Sequence, residues 1–185
     1  FLTKNAFLNL GHPFQPFILG QKNLAPRLSV LLNIPLVVFG ENGAEYGNAI
    51  QDNEEPTRDP KYYSAELDIK DLVLGGIPAN DLIKDFGFKL ADLEAYFPVS
   101  PYAVEKTGVE VHYLGYYVKW HPQEVYYYAV ENSDFMPNDH RTEGSYSKYS
   151  SLDDKFDWLH FHTTSIKFGI GRATYDSAQE IRNGD

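Results

Sequence analysis

Carboxylates, an amide and glycines crowd into one stretch of the chain. Gly40, Glu41, Asn42, Gly43, Glu45 and Gly47 follow the apolar run Leu36, Val37, Val38 and Phe39. An apolar run of this length, stopped by glycine, has the signature of a fully buried strand, and the polar loop then falls at that strand's carboxyl end. In open α/β sheets this is the edge at which ligands bind. Glycines let backbone approach a ligand or take positive φ. Glu41 and Glu45 can orient a hydroxyl, an amine or a metal-bound phosphate. A strand followed by a tight surface turn has the same composition, so both readings stand.

Cations recur at other predicted element ends. Gln21, Lys22 and Asn23 open a helix; Lys119 and His121 follow a strand; Arg141, Glu143 and Lys148 lie in a loop rich in hydroxyls; Arg172 opens the last helix. Lys22, Lys119, Arg141, Lys148 and Arg172 suit a phosphate- or carboxylate-bearing substrate. Lys148 and Arg172 equally suit structural ion pairs. Six histidines invite a metal reading, but His160 and His162 point about 200° apart on a helix and no His-Glu-x-x-His pattern occurs. A histidine metal site is therefore not expected. Nor is there a Gly-x-Ser-x-Gly elbow, a Walker lysine loop or a complete dinucleotide fingerprint, since Gly169-x-Gly171 lacks its third glycine.

The elements that must carry these groups read as α/β. The periodicity predicts a helix over 1–10, an extended loop forced by Pro13 and Pro16, and a helix from Gly20 closed by Asn33. Its apolar stripe is Leu24, Leu28, Leu31 and Leu32, and a strand over 35–39 follows. Residues 48–62 read as a solvated polar loop. Helices are expected over 62–71, 79–86 and 90–97, with a turn near Gly76 and a break at Pro98 and Pro101. A strand over 109–120 leads to a helix from Pro122 to about Glu131, a polar loop over 132–151, a helix over 152–168 and a last helix over 172–182 capped by Gly184.

With 185 residues and 43 % hydrophobic content the chain reads as one domain, or most of one. A net charge of −10 argues against a nucleic-acid surface. No apolar run approaches the ~18 residues of a membrane span, and no signal peptide is expected. Cysteine is absent, which removes disulfides and thiolate zinc ligands.

Several long motifs together resemble the N-acetyl sugar amidotransferases of bacterial O-antigen and related surface-sugar synthesis. They are Phe14-Gln-Pro-Phe-Ile-Leu-Gly-Gln-Lys-Asn23, Pro35-Leu-Val-Val-Phe-Gly-Glu-Asn-Gly-Ala-Glu-Tyr-Gly47, Tyr113-Leu-Gly-Tyr-Tyr-Val-Lys-Trp120, Arg141-Thr-Glu-Gly-Ser-Tyr-Ser-Lys-Tyr-Ser-Ser151 and Lys167-Phe-Gly-Ile-Gly-Arg-Ala-Thr-Tyr-Asp-Ser-Ala-Gln-Glu-Ile-Arg-Asn-Gly184. The family belongs to the PP-loop ATP pyrophosphatases. The resemblance implies a partial adenine-nucleotide α-hydrolase-like, Rossmann-like parallel sheet with added C-terminal helices. On that reading residues 1–185 form the central and C-terminal part of one domain: a helix–strand core over 1–50, a helical insertion over 51–108, and a strand with helices over 109–185.

The implied activity is ATP- and magnesium-dependent conversion of an acetamido group on a nucleotide-linked sugar to an acetamidino group. Ammonia would come from a glutaminase subunit through a barrel-type partner, in the cytoplasm, with neither nucleic acid nor membrane involved. The resemblance assigns Glu41, Glu45 and Lys148 to catalysis, and Gly40, Asn42, Gly43, Gly47, Gln21 and Lys22 to ATP. It assigns Lys119, Arg141, Glu143 and Arg172 to the sugar nucleotide. The Gly40–Gly47 loop also resembles the Ser-Gly-x-Gly-x-Asp-Glu loop of asparagine synthetase. The superfamily's Ser-Gly-Gly-x-Asp-Ser loop does not occur here. It is expected upstream of Phe1, so the segment alone is expected to be inactive. Two other readings remain: a different PP-loop enzyme, of the asparagine, NAD or GMP synthetase kind, and a non-catalytic partner-binding module.

Overall fold

A computed structural model describes residues 1–40, 51 and 54–184. The chain divides into two compact units, one of Phe1–Leu10 with Phe14–Trp120, the other of Gly11–Pro13 with His121 onward.

The first unit is mixed α/β. Helix α1 (Leu2–Leu10) precedes α2 (Gln15–Leu32), which starts five residues before the expected Gly20. Pro16 does not hold the chain extended. It sits in the first turn of α2, where its missing N–H costs nothing. Pro26 lies inside the helix and cannot donate to the Lys22 carbonyl four residues back. Asn33 closes α2 in the left-handed conformation, φ 55°, as expected.

The buried face of α2 is the largest departure from the sequence pattern. Pro16, Asn23, Pro26 and Ser29 are buried, while Leu24, Leu28, Leu31 and Leu32 are exposed. Polar clasps decide this orientation. Asn23 Nδ2 donates to the Tyr96 carbonyl at 2.8 Å, Arg27 donates to the Glu94 carbonyl, and Ser29 Oγ donates to the Ile34 carbonyl. The turn over residues 94–96 thus takes the side of α2 that the leucine stripe was expected to bury.

Strand β1 (Leu36–Phe39) follows. The structure corrects the expectation of full burial: Phe39 is buried, but Leu36 and Val38 are about half exposed on the other face. A hairpin of β2 (Val73–Leu74) and β3 (Ile77–Pro78) turns at Gly75 and Gly76, both with positive φ. Asn9 Nδ2 donates to the Gly75 carbonyl at 2.8 Å, and the Gly75 amide donates to Gln15 Oε1 at 2.9 Å. These bonds tie the hairpin to α1 and α2. Leu72, Leu74, Ala79, Leu82 and Leu93 form the core beside it.

Helix α3 (Ala79–Phe86) matches the expected span, whereas α4 (Leu90–Leu93) is one turn followed by a 3₁₀ turn. The helix expected over 62–71 does not form. Its residues make two 3₁₀ turns and an extended piece in which the Ala65 amide and the Tyr63 carbonyl bond to Val99. Pro101 does not break the chain but opens α5 (Pro101–Thr107), with Ser100 Oγ accepting from the Ala103 amide at 3.2 Å.

Strand β4 (Glu110–Tyr113) pairs with β1 in parallel, Leu36 opposite Glu110 and Phe39 opposite Tyr113. It is four residues long, not twelve, because a 3₁₀ turn over 114–116 ends it. The other edge of β4 takes residues 56–58 antiparallel: the Arg58 amide donates to the Val111 carbonyl at 2.7 Å and the Tyr113 amide to the Pro56 carbonyl at 3.1 Å. Phe39, Tyr63, Val99, Val104, Val111 and Tyr113 fill the core behind this sheet.

The second unit is helical. Helix α6 (Pro122–Asn132) begins with proline at its first position, as expected. Helix α7 (Asp157–Phe168) starts five residues later than expected. Asp154 Oδ1 accepts from the Phe156 amide at 2.7 Å and Ser151 takes positive φ, which hold the preceding residues in turns. Helix α8 (Arg172–Asn183) ends on Gly184 in the left-handed conformation. Among the described residues no helix is long and apolar enough to cross a membrane.

Candidate functional site

Two parallel strands end together at Phe39 and Tyr113, whose rings lie 6.3 Å apart. Gly40 follows directly, exposed, and a side chain there would meet nothing within 4 Å among the described residues. Against this edge lies Arg58, which is 1 % exposed. Its guanidinium carbon is 5.8 Å from the Phe39 ring centroid, 5.6 Å from that of Tyr62 and 5.9 Å from that of Tyr113. Three electron-rich faces hold the cation where water does not. Its backbone bond to Val111 fixes the position from which it reaches them.

Helix α2 supplies the second cation. It leads into β1 and packs back along it. At ~1.5 Å per residue, Lys22 lies ~15 Å back from the end of α2. Four strand residues span ~13 Å, so Lys22 comes level with the carboxyl end of β1. Lys22 is half-buried, and its ammonium pKa is lowered from the ordinary 10.5, by burial first and then by the Arg58 charge. The same guanidinium acts on Tyr63, where burial nonetheless pushes the phenol up. The carboxyl edge of the parallel pair therefore brings Arg58 and Lys22 beside an aromatic wall, with Asp59 and Glu110 acting on the neighbouring Tyr63. Its donor set suits phosphate oxygens, Lys22 as the accessible group and Arg58 as charge set behind it.

In the second unit the loop over 139–151 is closed on itself. Thr142, Ser145 and Ser147 are buried. Thr142 Oγ1 donates to the Ser150 carbonyl at 2.6 Å, and the Ser147 and Ser150 hydroxyls lie 2.7 Å apart. Asp176 on α8 accepts from Ser145 Oγ at 2.6 Å through one oxygen and pairs with Arg172 Nε at 2.7 Å through the other. The Ala173 amide, in the first turn of α8, donates to the Gly144 carbonyl at 3.0 Å. Arg172 also lies over the Phe161 ring at 5.3 Å. Tyr146 is pushed up to about 12, by desolvation first and then by its hydrogen bond to the Glu180 carboxylate. With the ring 42 % exposed, the Glu180 contact is the better-founded cause. Replacing Asp176 by alanine strands the buried Ser145 hydroxyl and the Arg172 fork. The expected loss is about 2 kcal/mol, read as faster amide exchange along α8; unchanged exchange would show the carboxylate to be dispensable.

The sequence-predicted residues separate accordingly. Gln21, Lys22, Gly40 and Lys119 belong to the first unit; Arg141, Glu143, Lys148 and Arg172 belong to the second. Gln21 is exposed on α2. Lys119 is exposed six residues past the end of β4 rather than at its carboxyl end. Arg141 donates to the Ser145 carbonyl at 3.0 Å and Lys148 to the Asp139 carbonyl at 3.1 Å, both within their own loop, and Glu143 is exposed. Glu41, Asn42, Gly43, Glu45 and Gly47 lie outside the described residues. Among the described residues no group of three or more His, Asp or Glu is placed to hold a metal ion. Arg58 is the residue that sequence reasoning missed. It stands in a stretch that reads as solvated loop, and no local pattern marks a buried arginine.

A groove of about 650 Å³ also opens in the first unit, lined by Leu24, Leu28, Leu31, Ala95, Pro98 and Val99 among others. A scan against protein-family models finds no match, and a search of curated proteins likewise returns none.

Proposed function

We propose that the chain is part of an ATP-dependent amidotransferase acting on the acetamido group of a nucleotide-linked sugar, with a Rossmann-like sheet of which β1 and β4 are two strands. The reading rests on the resemblance described above. What supports it structurally is Arg58 beside the carboxyl edge of parallel strands, with its charge acting on Lys22. That edge is where α/β sheets take nucleotides. Magnesium ATP would supply the activation that makes an amide oxygen a leaving group. The chain's own residues then have separate tasks. Lys22 holds phosphate charge, and Arg58 adds positive charge to that edge from behind. Gly40 leaves room for backbone to approach. Glu45 or Asp154 takes the proton of the attacking ammonia, and Glu41 lies near ATP or the activated intermediate. Arg141, Glu143 and Arg172 would serve the sugar nucleotide, with Lys119 and Lys148 as further cations, and a glutaminase with a barrel-type partner would supply the ammonia.

The test uses the full-length protein with magnesium ATP, ammonium and a nucleotide-linked diacetamido uronic acid, and measures pyrophosphate release. Lys22→Ala is expected to lower kcat/KM for ATP about tenfold or more, the worth of one charge-assisted hydrogen bond. Wild-type affinity for ATP should fall with rising pH. The ammonium loses its proton in a range set below the ordinary 10.5, so the decline begins earlier than for a solvated lysine. No pyrophosphate release, or wild-type kinetics in Lys22→Ala, would sink the assignment.

A second reading, a non-catalytic partner-binding module, is favoured by the exposed Leu24, Leu28 and Leu31 face. Substrate-dependent pyrophosphate release separates the two.

A further inference from the structure

His12 and His160 stack face to face. Their ring centroids are 4.6 Å apart and the planes 15° from parallel. His12 belongs to Gly11–Pro13, the three residues that pack in the second unit although α1 and α2 on either side belong to the first. Pro13 beside it is fully buried. His160 is half-buried on α7, where Thr164 Oγ1 lies 3.5 Å from its Nδ1. Offset stacking of two neutral imidazoles is favourable; stacking of two imidazolium ions sets like charges face to face.

The surroundings sharpen this asymmetry. Lys167, on α7, acts on both rings, and Arg172, from α8, acts on His160. Asp157, one turn before His160, opposes them at that ring, and it also accepts a hydrogen bond from Ser151 Oγ. Burial is the first cause of the lowered pKa of both histidines, with the neighbouring positive charges adding to it. A proton taken up by either ring is thus resisted by desolvation and by Lys167, at His160 by Arg172 too, and a second proton by the first as well.

We propose that the His12–His160 stack is a proton-operated latch: with both rings neutral it holds residues 11–13 against α7, and protonation releases them. The sign follows from linkage. The latched form binds protons more weakly than the open form. Between the lowered values and the ordinary 6.5, the open form therefore holds more protons, and the latch weakens as pH falls. Each unit by which a pKa is lowered makes opening about tenfold more favourable once the ring is charged. This inference is independent of the proposed activity and is tested without substrate.

The experiment is amide hydrogen exchange on the full-length protein at pH about 7.5 and about 5.5, corrected for intrinsic exchange rates. Histidine ring NMR titration accompanies it. Acidification should raise the corrected exchange of Gly11 and His12 and of the α7 amides around His160 by about tenfold. It should leave the β1–β4 amides unchanged. His160→Phe keeps a ring to stack but cannot take a proton, leaving only His12 to titrate, so the acid-induced increase at residues 11–12 should shrink. His12→Phe should do the same, which guards against one variant failing to fold. If the wild type shows no corrected increase on acidification, or if both phenylalanine variants retain the full acid-induced increase, the latch is overturned.

Discussion

Arg58→Ala is expected to lower the stability of the first unit by about 3–4 kcal/mol. The side chain is 1 % exposed, so its three methylenes count as buried surface at ~0.8 kcal/mol each. Its desolvated guanidinium adds about 2 kcal/mol through the Phe39, Tyr62 and Tyr113 rings, less than additively because one charge serves three faces. Arg58→Met keeps most of the stem and should recover about half the loss. Both variants should return the Lys22 pKa only part of the way toward 10.5, because burial, the larger cause, remains. The urea midpoint reads the first quantity, and NMR titration of the Lys22 ε-methylene reads the second. A destabilisation below about 1 kcal/mol would mean that the rings pack as well without the cation. An unmoved Lys22 would mean that the two charges do not meet.

The second large effect is expected at the hairpin. Gly75 has φ +60°, and an added methyl would stand 2.9 Å from the Leu2 carbonyl oxygen and 3.0 Å from the Ala6 amide nitrogen. Left-handed backbone costs a residue with a Cβ about 1–2 kcal/mol. The contacts cost more, because both atoms are backbone of α1 and no side-chain rotation relieves them. Helix α1 must retreat, which stretches the Asn9 bond to the Gly75 carbonyl. Gly75→Ala should therefore cost about 3–5 kcal/mol. Gly87→Ala is the control. It has φ +75° at the end of α3 but nothing within 4 Å of the added methyl, so it should cost about 1 kcal/mol, the strain alone. Equal thermal shifts in the two variants would show that the close approach to α1 is readily relieved.

What the sequence made legible was punctuation. Asn33, Pro122 and Gly184 mark ends and starts that the chain respects, and α3 forms over its expected span. Such signals are local: a left-handed cap or a proline at a first helical position depends on a few neighbouring dihedrals. The errors came where a distant partner decides. The leucines of α2 have the right spacing for a core, but carbonyls at 94 and 96 bind Arg27 and Asn23 and turn the helix the other way. Residues 62–71 have helical composition, yet Val99 pairs with the Tyr63–Ala65 backbone and draws it out straight. The candidate site was half readable. Lys22 was legible as a cation on the helix ahead of an apolar strand, though not at its start, since α2 begins at Gln15 and Lys22 lies in its interior. Arg58 was not, because only the fold brings Phe39, Tyr62 and Tyr113 around it.

The placement of Gly11–Pro13 bears on the order in which the chain can fold. His12 and its ring partner are 148 positions apart in sequence. Closing so long a loop costs entropy that only a nearly complete second unit repays. On a ribosome residues 11–13 emerge well before α7 is made. Their docking must follow the rest, and their contacts should be absent from the transition state. Residues 11–13 are thus made well before they find their place, and mutations in them should quicken unfolding while leaving the folding rate untouched.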